Sequence, residues 1–302
     1  MKKAIVTGGA GFVGSTLTDE LIKQGWEVTI LDNLSTGKQE NINPKANFIL
    51  CDISTVNQDE LTSYMVGGNV VFHTAALARV QPSIQDPVSF NFVNTGGTVK
   101  VLDAAQKAGI KRVVYSASSS AYGDQTIMPL HEEMPTRPIS PYALQKYIGE
   151  QYCELFSTIY GLETVCLRYF NVYGERMLTE GAYTLVMGVF AKLKQENKPL
   201  TITNDGEQTR DFTYVGDVVN ANILAATSDR VGKGEVINIG AGNSCSVNQI
   251  AEAFGGPIEY IGDRLEPKDT LANNSKAKEL LNWKPTKEVL DWIPTYKQML
   301  GI

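Results

Sequence analysis

The sequence predicts an α/β fold, a doubly wound parallel sheet with a smaller mixed α/β lobe in the C-terminal part. Three observations support this prediction. Short β-branched runs alternate with amphipathic stretches along the first half, a glycine turn directly follows the first run, and the pattern becomes mixed after Gly174. We therefore predict a first domain over residues 1–171, to which the chain returns around 214–240, and an interleaved second lobe over 172–302.

The elements of the first domain follow from the spacing of the apolar residues. Short β-branched runs predict strands at 4–7, 27–31, 48–51, 70–73, 112–116 and 163–169. Longer stretches with helical spacing predict helices at 14–24, 88–108 and 142–160. The segment 130–141 contains Pro135, Pro138 and Pro141 and has no periodic pattern of apolar residues. It is therefore predicted to be an irregular loop leading into the third helix.

The second lobe has a less regular pattern. It predicts helices at 183–195 and 217–226, strands at 200–202, 212–214 and 235–239, and short helices near the C-terminus. A lobe of this kind would cover a ligand bound at the carboxyl ends of the strands.

The composition excludes several classes of function. Lys and Arg number 27 against 33 Asp and Glu, and the formal charge of -6 predicts no general nucleic-acid or anionic-membrane surface. No apolar run approaches the roughly 18 residues of a membrane span. His73 and His131 lie too far apart to suggest a metal site. Four scattered cysteines, and a first strand with no leader segment before it, predict a reduced, cytoplasmic protein.

The first predicted strand runs into a glycine turn and then into a helix. The glycines are Gly8, Gly11 and Gly14, a Gly-x-x-Gly-x-x-Gly spacing. Glycine permits the tight turn and lets backbone N–H groups approach a pyrophosphate at a helix N-terminus. The second strand ends in Asp32, where a carboxylate would accept hydrogen bonds from an adenosine ribose and repel a 2′-phosphate. The first domain is therefore predicted to bind NAD rather than NADP.

Hydroxyl and amino groups also occur after another predicted strand and on the helix that comes later in the chain. Tyr142 and Lys146 lie at positions i and i+4 and so project from one face of a helix. The ammonium would lower the pKa of the phenol from about 10 towards the range of a general base. Upstream, Ser118 belongs to a serine cluster after the strand at 112–116. This arrangement predicts a catalytic site.

Six segments together resemble the extended short-chain dehydrogenase/reductase family, and within it most closely the UDP-hexose 4-epimerases. They are TGGAGFVG at 7–14, LDN at 31–33, SSSAYG at 118–123, SPYALQK at 140–146, LRYFN at 167–171 and TRDFTYV at 209–215. The resemblance runs from residue 3 to about residue 283. It implies a Rossmann-type fold with tightly held NAD, a sugar-nucleotide substrate and a homodimer formed through the helices at 88–108 and 142–160.

The resemblance also implies roles for individual residues. Tyr142 would be the base for the sugar 4-hydroxyl, Ser118 would hydrogen-bond the 4-oxygen, and Lys146 would tune the pKa of the tyrosine and bind ribose. The residues that would bind NAD are Gly8, Gly11, Phe12, Val13, Gly14, Asp32, Asn33, Asp52, Ile53, Ala75, Ala76, Asn94, Lys146 and Tyr169. The residues that would bind the substrate are Ser118, Ser119, Asn171, Arg210 and Thr270.

The implied reaction is 4-epimerisation of a UDP-hexose through a transient 4-keto sugar, with UDP-glucose and UDP-galactose as the first pair. The small Thr270, at a position where relatives use either a tyrosine or a small residue, leaves room for an N-acetyl group and adds UDP-GlcNAc and UDP-GalNAc. Related 4,6-dehydratases and decarboxylases carry acidic residues just after the catalytic hydroxyl, where this chain has Ser119 and Ser120. Those enzymes and 4-keto reductases are the alternatives.

A second class of function stays open beside these enzymes. Some proteins of this fold bind NAD as regulators and have lost the tyrosine or the lysine, whereas this chain keeps both Tyr142 and Lys146. Arg79, which follows the cofactor-side run at 75–78, fits either a phosphate ligand or a solvent-facing residue, and its role is left open.

Overall fold

The structure is a computed structural model that describes residues 2–179, 184–262 and 267–302. Its strands in chain order are β1 (Lys3–Thr7), β2 (Glu27–Asp32), β3 (Asn47–Leu50), β4 (Val70–His73), β5 (Arg112–Ser118), β6 (Glu163–Tyr169), β7 (Val172–Tyr173), β8 (Leu200–Thr203), β9 (Thr209–Asp211), β10 (Thr213–Tyr214), β11 (Lys233–Ile239), β12 (Ser244–Ser246) and β13 (Ile258–Ile261). Its α-helices are α1 (Phe12–Lys23), α2 (Gln58–Met65), α3 (Val80–Gln85), α4 (Pro87–Asn91), α5 (Thr98–Lys107), α6 (Pro141–Tyr160), α7 (Val186–Gln195), α8 (Val215–Thr227), α9 (Val247–Phe254), α10 (Ser275–Leu281) and α11 (Val289–Leu300). Residue 183, the predicted start of a helix, lies outside the described ranges.

Seven of these strands form one parallel sheet in the order β11-β6-β5-β4-β1-β2-β3. Within it, Val6 of β1 is paired with Ile30 on one side and with Phe72 on the other. The strand order reverses between β1 and β4, and at such a switch point the loops after the strands diverge and leave a crevice. The predicted doubly wound α/β fold is confirmed.

Apolar side chains cover both faces of this sheet. On one face, Val6 and Ile30 pack with Leu17 and Leu21 of α1, and all four are fully buried. On the other face, strand residues such as Val71 pack with side chains of α2, α5 and α6. Burial on both faces explains why the strands have continuous β-branched runs instead of alternating patterns.

The helix predicted at 88–108 is present at 87–107, but it is not α-helical throughout. A π-helical segment, Phe92–Gly97, lies between α4 and α5. This segment contains Asn94, whose side chain bonds both backbone groups of Leu77, and it ends in two glycines, which have weak α-helix propensity. The wider π-helical turn thus lets the Asn94 side chain reach the loop that follows β4. π-Bulges are frequent at functional sites.

The remaining elements form small pairs of strands and a third apolar cluster. The strand predicted at 212–214 is β10, which pairs parallel with β7, and a further short strand, β9, precedes it and pairs antiparallel with β12. Helices α7, α9 and α11 enclose aromatic side chains, among them Trp292 stacked on Tyr296 with ring centroids 4.5 Å apart. Strand β11 then lies beside β6 in the large sheet. In the described ranges, no helix has both the length and the apolar character needed to cross a bilayer.

Candidate active site

The glycine turn between β1 and α1 is packed too closely for larger residues. Gly8 has φ +71°, and a Cβ added there would lie 2.7 Å from the backbone nitrogen of Ala75. A Cβ on Gly14 would lie 2.2 Å from the carbonyl oxygen of Gly8. Gly11 is the N-cap of α1 and provides no capping side chain. The first N–H groups of α1 therefore remain available to an anion such as a pyrophosphate.

A cleft of about 250 Å³ opens beside this turn, at the carboxyl ends of β1, β2 and β4. Most of the residues predicted to bind NAD line it. They are Gly8, Gly11, Phe12, Val13, Gly14, Asp32, Asn33, Asp52, Ile53, Ala75 and Ala76. The other three predicted NAD residues, Asn94, Lys146 and Tyr169, are not part of this lining.

Two carboxylates shape the end of the cleft near β2 and β3. Asp32 accepts hydrogen bonds from the backbone N–H of Ala10 at 2.9 Å and of Leu34 at 2.8 Å, one on each oxygen. Each oxygen keeps a further lone pair for a ligand hydroxyl. The Asn33 amide donates to Asp52 at 2.9 Å. Burial raises the pKa of Asp52, but hydrogen bonds from Ser54 and Asn33 outweigh it and the pKa is lowered.

These features fit NAD. The glycine turn has no room for a Cβ, α1 starts without a side-chain cap, and a buried carboxylate ends β2. Together they provide a place for a pyrophosphate and a hydrogen-bond acceptor for an adenosine ribose.

A buried polar chain holds the loop that follows β4. His73 Nδ1 lies 2.8 Å from Thr7 Oγ1, and its Nε2 lies 3.0 Å from Thr98 Oγ1. The Ala75 N–H donates to Thr7 Oγ1, and Asn94 bonds Leu77 further along. Burial, followed by the charge of Lys146, lowers the pKa of His73 to about 3, so the ring is neutral. The Asn94 amide thus engages protein groups and positions the cleft wall.

The predicted Ser and Tyr are brought together by β5 and α6. Ser118 is the last residue of β5, and Tyr142 lies in the first turn of α6, after the capping residue Ser140. The Ser118 hydroxyl lies close enough to the Tyr142 phenol to act on its pKa, which it lowers. Ser120 Oγ donates to Ser118 Oγ at 2.8 Å, and Ser119 opens the short turn between them. A proton-accepting phenol and a hydroxyl therefore face the same point.

The lysine one turn later acts differently from the sequence expectation. Lys146 is buried, and its Nζ donates to the Ser116 carbonyl at 2.8 Å and lies 5.1 Å from the centre of the Tyr115 ring. Burial lowers the pKa of Lys146 to about 8. Burial also raises the pKa of Tyr142, and this outweighs the opposing effects of the Ser118 hydroxyl and the Arg79 charge. The pKa of Tyr142 is thus raised, contrary to the expectation that Lys146 brings it below its usual value.

Tyr169 lies at the end of β6, next to Ser118 in the paired strands. Its hydroxyl lies 3.0 Å from Ser116 Oγ and accepts a hydrogen bond from the Asn222 amide at 2.8 Å. Burial raises the pKa of Tyr169 to about 12. These contacts hold Tyr169 in the sheet.

Three predicted substrate residues gather around β9. The Asn171 amide donates to the Asp211 carbonyl at 3.1 Å and to Thr270 Oγ1 at 3.4 Å. The Asp211 N–H donates to the same Thr270 oxygen at 3.3 Å. Arg210 precedes Asp211 and donates to the Lys268 carbonyl at 3.0 Å. Residues 263–266, next to this group, lie outside the described ranges.

The sequence analysis did not identify two further residues, one in the group around β9 and one in the cleft. The Asp211 carboxylate accepts backbone N–H groups from Ala241, Gly242 and Ala272, and burial raises its pKa to about 6. Asp211 belongs to the segment TRDFTYV at 209–215, but only the folded chain shows the three backbone N–H groups that donate to its carboxylate. Arg176 lines the cleft and pairs with Asp19 at 2.6 Å, while its Nη1 is buried without a hydrogen-bond partner. No sequence pattern singled it out.

Comparisons with known proteins identify the family of this chain. The family model described as the NAD dependent epimerase/dehydratase family matches residues 4–240. A UDP-glucose 4-epimerase of Mycolicibacterium smegmatis is 34% identical, covering 94% of this chain and 93% of that protein. A UDP-N-acetyl-alpha-D-glucosaminuronate decarboxylase of Bacillus cytotoxicus is 35% identical, covering 83% and 78%.

Solved structures are similar over nearly the whole chain. A UDP-glucose 4-epimerase of Thermotoga maritima with UDP-glucose has a TM-score of 0.93 at 34% identity, covering 99% of this chain and 100% of that chain. A UDP-N-acetylglucosamine 4-epimerase of Methanobrevibacter ruminantium in complex with UDP-N-acetylmuramic acid has a TM-score of 0.91 at 35% identity, covering 99% and 97%.

Proposed function

The chain belongs to the NAD-dependent epimerase/dehydratase family, and from this premise we propose that it interconverts a UDP-hexose and its 4-epimer. UDP-glucose and UDP-galactose are the first pair, and UDP-GlcNAc and UDP-GalNAc are the second. The similarity to the Thermotoga and Methanobrevibacter enzymes supports a UDP-sugar, and the cleft supports NAD as the cofactor.

The proposed mechanism assigns one proton to Tyr142. Bound NAD supplies a reversible acceptor for the hydride of the sugar C4. Tyr142 takes the proton of the 4-hydroxyl onto its phenolate oxygen, and Ser118 donates a hydrogen bond to the sugar 4-oxygen. When the 4-keto sugar is reduced on its other face, Tyr142 returns the proton to the 4-oxygen. A positioned acid–base group of this kind contributes about 10²- to 10⁴-fold to the rate.

The proximity of Ser118 to Tyr142, together with the two serines that directly follow Ser118, carries this proposal. Elimination of a 6-hydroxyl needs an additional acid and base beside the ring, and related dehydratases carry acidic residues directly after the catalytic hydroxyl. Ser119 and Ser120 occupy those positions here, and Ser120 bonds Ser118. Without these carboxyl groups, reversible oxidation at C4 is the reaction that the pair supports.

A decarboxylase is the second candidate, because the 35% identical Bacillus protein carries that name. It needs a 6-carboxylate on the sugar, and its product is a pentose derivative. The same serines argue against it, since related decarboxylases place a Glu after the catalytic hydroxyl.

The test is to incubate the purified protein, without added NAD, with UDP-glucose and separately with UDP-GlcNAc. We expect the galacto epimers to form and NMR to identify them. A 4-keto product from either sugar on supplying NAD would replace the epimerase with a dehydratase, and a pentose product from a separate incubation with UDP-glucuronate and NAD would replace it with a decarboxylase. Absence of any product from both sugars, with NAD present, would contradict a UDP-hexose substrate.

We further propose a homodimer in a reducing, cytoplasmic compartment. Apolar side chains of α4, the π-helical segment and α6 are exposed, among them Val88, Phe92, Leu155 and Ile159. Exposed apolar faces of this kind mark protein interaction surfaces. All four cysteines are free thiols and buried, as is usual where disulfides do not form.

A further inference from the structure

The turn that follows Ser118 ends in a tyrosine without access to solvent. The turn is Ser119–Tyr122, and the Tyr122 side chain is fully buried. Burial raises the pKa of Tyr122 to about 12, so its hydroxyl stays protonated and needs an acceptor. It donates to Asn238 Oδ1 at 2.8 Å. Asn238 belongs to β11, so this bond joins the turn to a distant part of the chain.

The Asn238 amide has only one orientation that satisfies its neighbours. Its nitrogen donates to the Leu130 carbonyl at 2.9 Å and to the Asn273 carbonyl at 3.3 Å. Because a carbonyl can only accept, the amide oxygen must face the Tyr122 hydroxyl. The Asn238 backbone N–H donates to Glu132 Oε1 at 2.8 Å. This fully buried residue therefore bonds to three separate segments of the chain.

Two of these segments are also joined by backbone hydrogen bonds. The Leu130 N–H donates to the Leu271 carbonyl at 2.7 Å, and the Asn273 N–H donates to the Leu130 carbonyl at 2.8 Å. Leu271 directly follows Thr270, the residue expected to act as the sugar gate. A displacement of the segment 271–273 would therefore displace Thr270 as well.

The ring of Tyr122 is fixed to the helix of the candidate base. Arg168 of β6 lies over this ring, with its Cζ 4.5 Å from the ring centre. The Arg168 Nε and Nη2 donate to the two Glu150 oxygens at 2.8 and 2.6 Å, and both side chains are buried. Glu150 and Tyr142 both belong to α6. The turn that ends in Tyr122 thus has a fixed place relative to α6.

We propose that Asn238 is a positioning residue of the candidate site, which sets the spacing between the turn after Ser118 and the segment of Thr270 by bonding to both. This inference rests on the proposed function in one respect, that the sugar lies between Ser118 and Thr270. A hexose bound with its 4-oxygen at Ser118 has its 2-substituent two ring bonds away. The spacing therefore decides whether that substituent meets Thr270 while the 4-hydroxyl is aligned for reaction.

The experiment compares Tyr122→Phe, Asn238→Ala and a matched control, Tyr173→Phe. Tyr173 is also fully buried, and its hydroxyl donates to a backbone carbonyl in the other lobe at 3.0 Å. Backbone hydrogen exchange is followed by mass spectrometry on peptides that cover 128–132 and 270–275, in the protein as purified. kcat and KM for UDP-glucose and UDP-GlcNAc are measured on the same variants.

We expect exchange in both peptides to be about fivefold faster in Tyr122→Phe, the factor that one hydrogen bond typically contributes, and unchanged in Tyr173→Phe. kcat should fall about tenfold in Tyr122→Phe because the 4-hydroxyl is no longer held in line. The kcat/KM ratio of the two sugars should change as well. Adding Tyr122→Phe to Asn238→Ala should have little further effect, because the hydroxyl acts through that amide.

Two outcomes would overturn the proposal. The first is exchange at 270–275 in Tyr122→Phe that equals the parent. The second is faster exchange with the parent ratio of kcat/KM for the two sugars, which is what a purely structural role would give. The exchange measurement needs no sugar, so absence of epimer from the parent would contradict the proposed function and leave the exchange result valid.

Discussion

At the scale of single residues, Tyr142 is subject to opposing influences. Burial disfavours its phenolate, whereas the Ser118 hydroxyl and the Arg79 charge favour it. Burial is the largest of these effects, so the net direction of the pKa of Tyr142 is upward.

The role of Tyr142 can be tested by removing only its hydroxyl. Because the proton would then have no acceptor, we expect Tyr142→Phe to reduce kcat for epimer formation by about 10²- to 10⁴-fold. Tyr160→Phe changes a tyrosine that is 56% exposed at the end of α6, and it should leave kcat unchanged. A Tyr142→Phe variant with the parent rate would remove Tyr142 from the mechanism.

Thr270 is expected to set which sugars fit. It is 9% exposed and contacts Asn171 and Asp211 through its hydroxyl. Thr270→Tyr should lower kcat/KM for UDP-GlcNAc relative to UDP-glucose, by about tenfold or more, because a ring would fill the space of the N-acetyl group. Thr270→Val keeps the size without the hydroxyl and should keep the ratio. An unchanged ratio in Thr270→Tyr would show that this position is not the gate.

At the scale of elements, the site depends on how strands, turns and helices are joined. The turn from β1 to α1 depends on close backbone contacts, whereas the loop after β4 is held by buried side chains of β1 and α5 and of the π-helical segment. Both walls of the cleft thus include contacts between residues that are far apart in the sequence.

The glycine turn predicts a sharp steric effect. An alanine Cβ at residue 14 would lie 2.2 Å from the Gly8 carbonyl oxygen, so the turn must open. We expect Gly14→Ala to weaken NAD binding at least about tenfold, a change of about 1.4 kcal/mol, as measured by calorimetry on protein stripped of NAD. Gly96→Ala is the control, since its Cβ meets nothing within 4 Å. Equal NAD affinities in the two variants would contradict a cradle at this turn.

His73 predicts an acid-dependent loss of stability. Its pKa is about 3 in the folded chain and about 6.5 in the unfolded chain, so between these values only the unfolded chain gains the proton. The free energy of unfolding should therefore fall as pH falls from about 6.5 to 3, with a slope approaching 1.4 kcal/mol per pH unit from this residue, about what linkage gives for one proton. Urea titrations of the parent and His73→Gln measure the difference. Parallel pH profiles of the two proteins would contradict a neutral buried ring.

At the scale of the whole molecule, the reversal of strand order creates the site. The chain leaves β1 towards β3, returns to β4, and extends on the other side to β6, which β11 later joins. The loops after β1, β2 and β4 line the cleft, while β5 and α6 provide the Ser and Tyr. Residues around β9 contribute the predicted substrate group from the other lobe.

The exposed apolar face of α6 and α4 predicts the state of association. Leu155 and Ile159 are 49% and 63% exposed and lie one turn apart on α6. A charge introduced there should be buried without a partner in a dimer, so we expect Leu155→Glu and Ile159→Glu to produce monomers in sedimentation experiments. Met299→Glu changes an equally exposed residue on α11 and should leave the dimer intact. A parent protein that sediments as a monomer would refute the dimer.

The sequence by itself determined the doubly wound fold and NAD as the cofactor, and it indicated the candidate residues around Gly8, Asp32, Ser118 and Tyr142. These depend on short-range patterns, such as glycine spacing, strand ends and helix periodicity, which are readable along the chain. The tertiary structure alone decided the pKa direction of Tyr142, the π-helical insertion at Asn94 and the three backbone donors to Asp211. The physical reason is that burial and charge act between residues far apart in sequence, whose proximity exists only once the chain is folded.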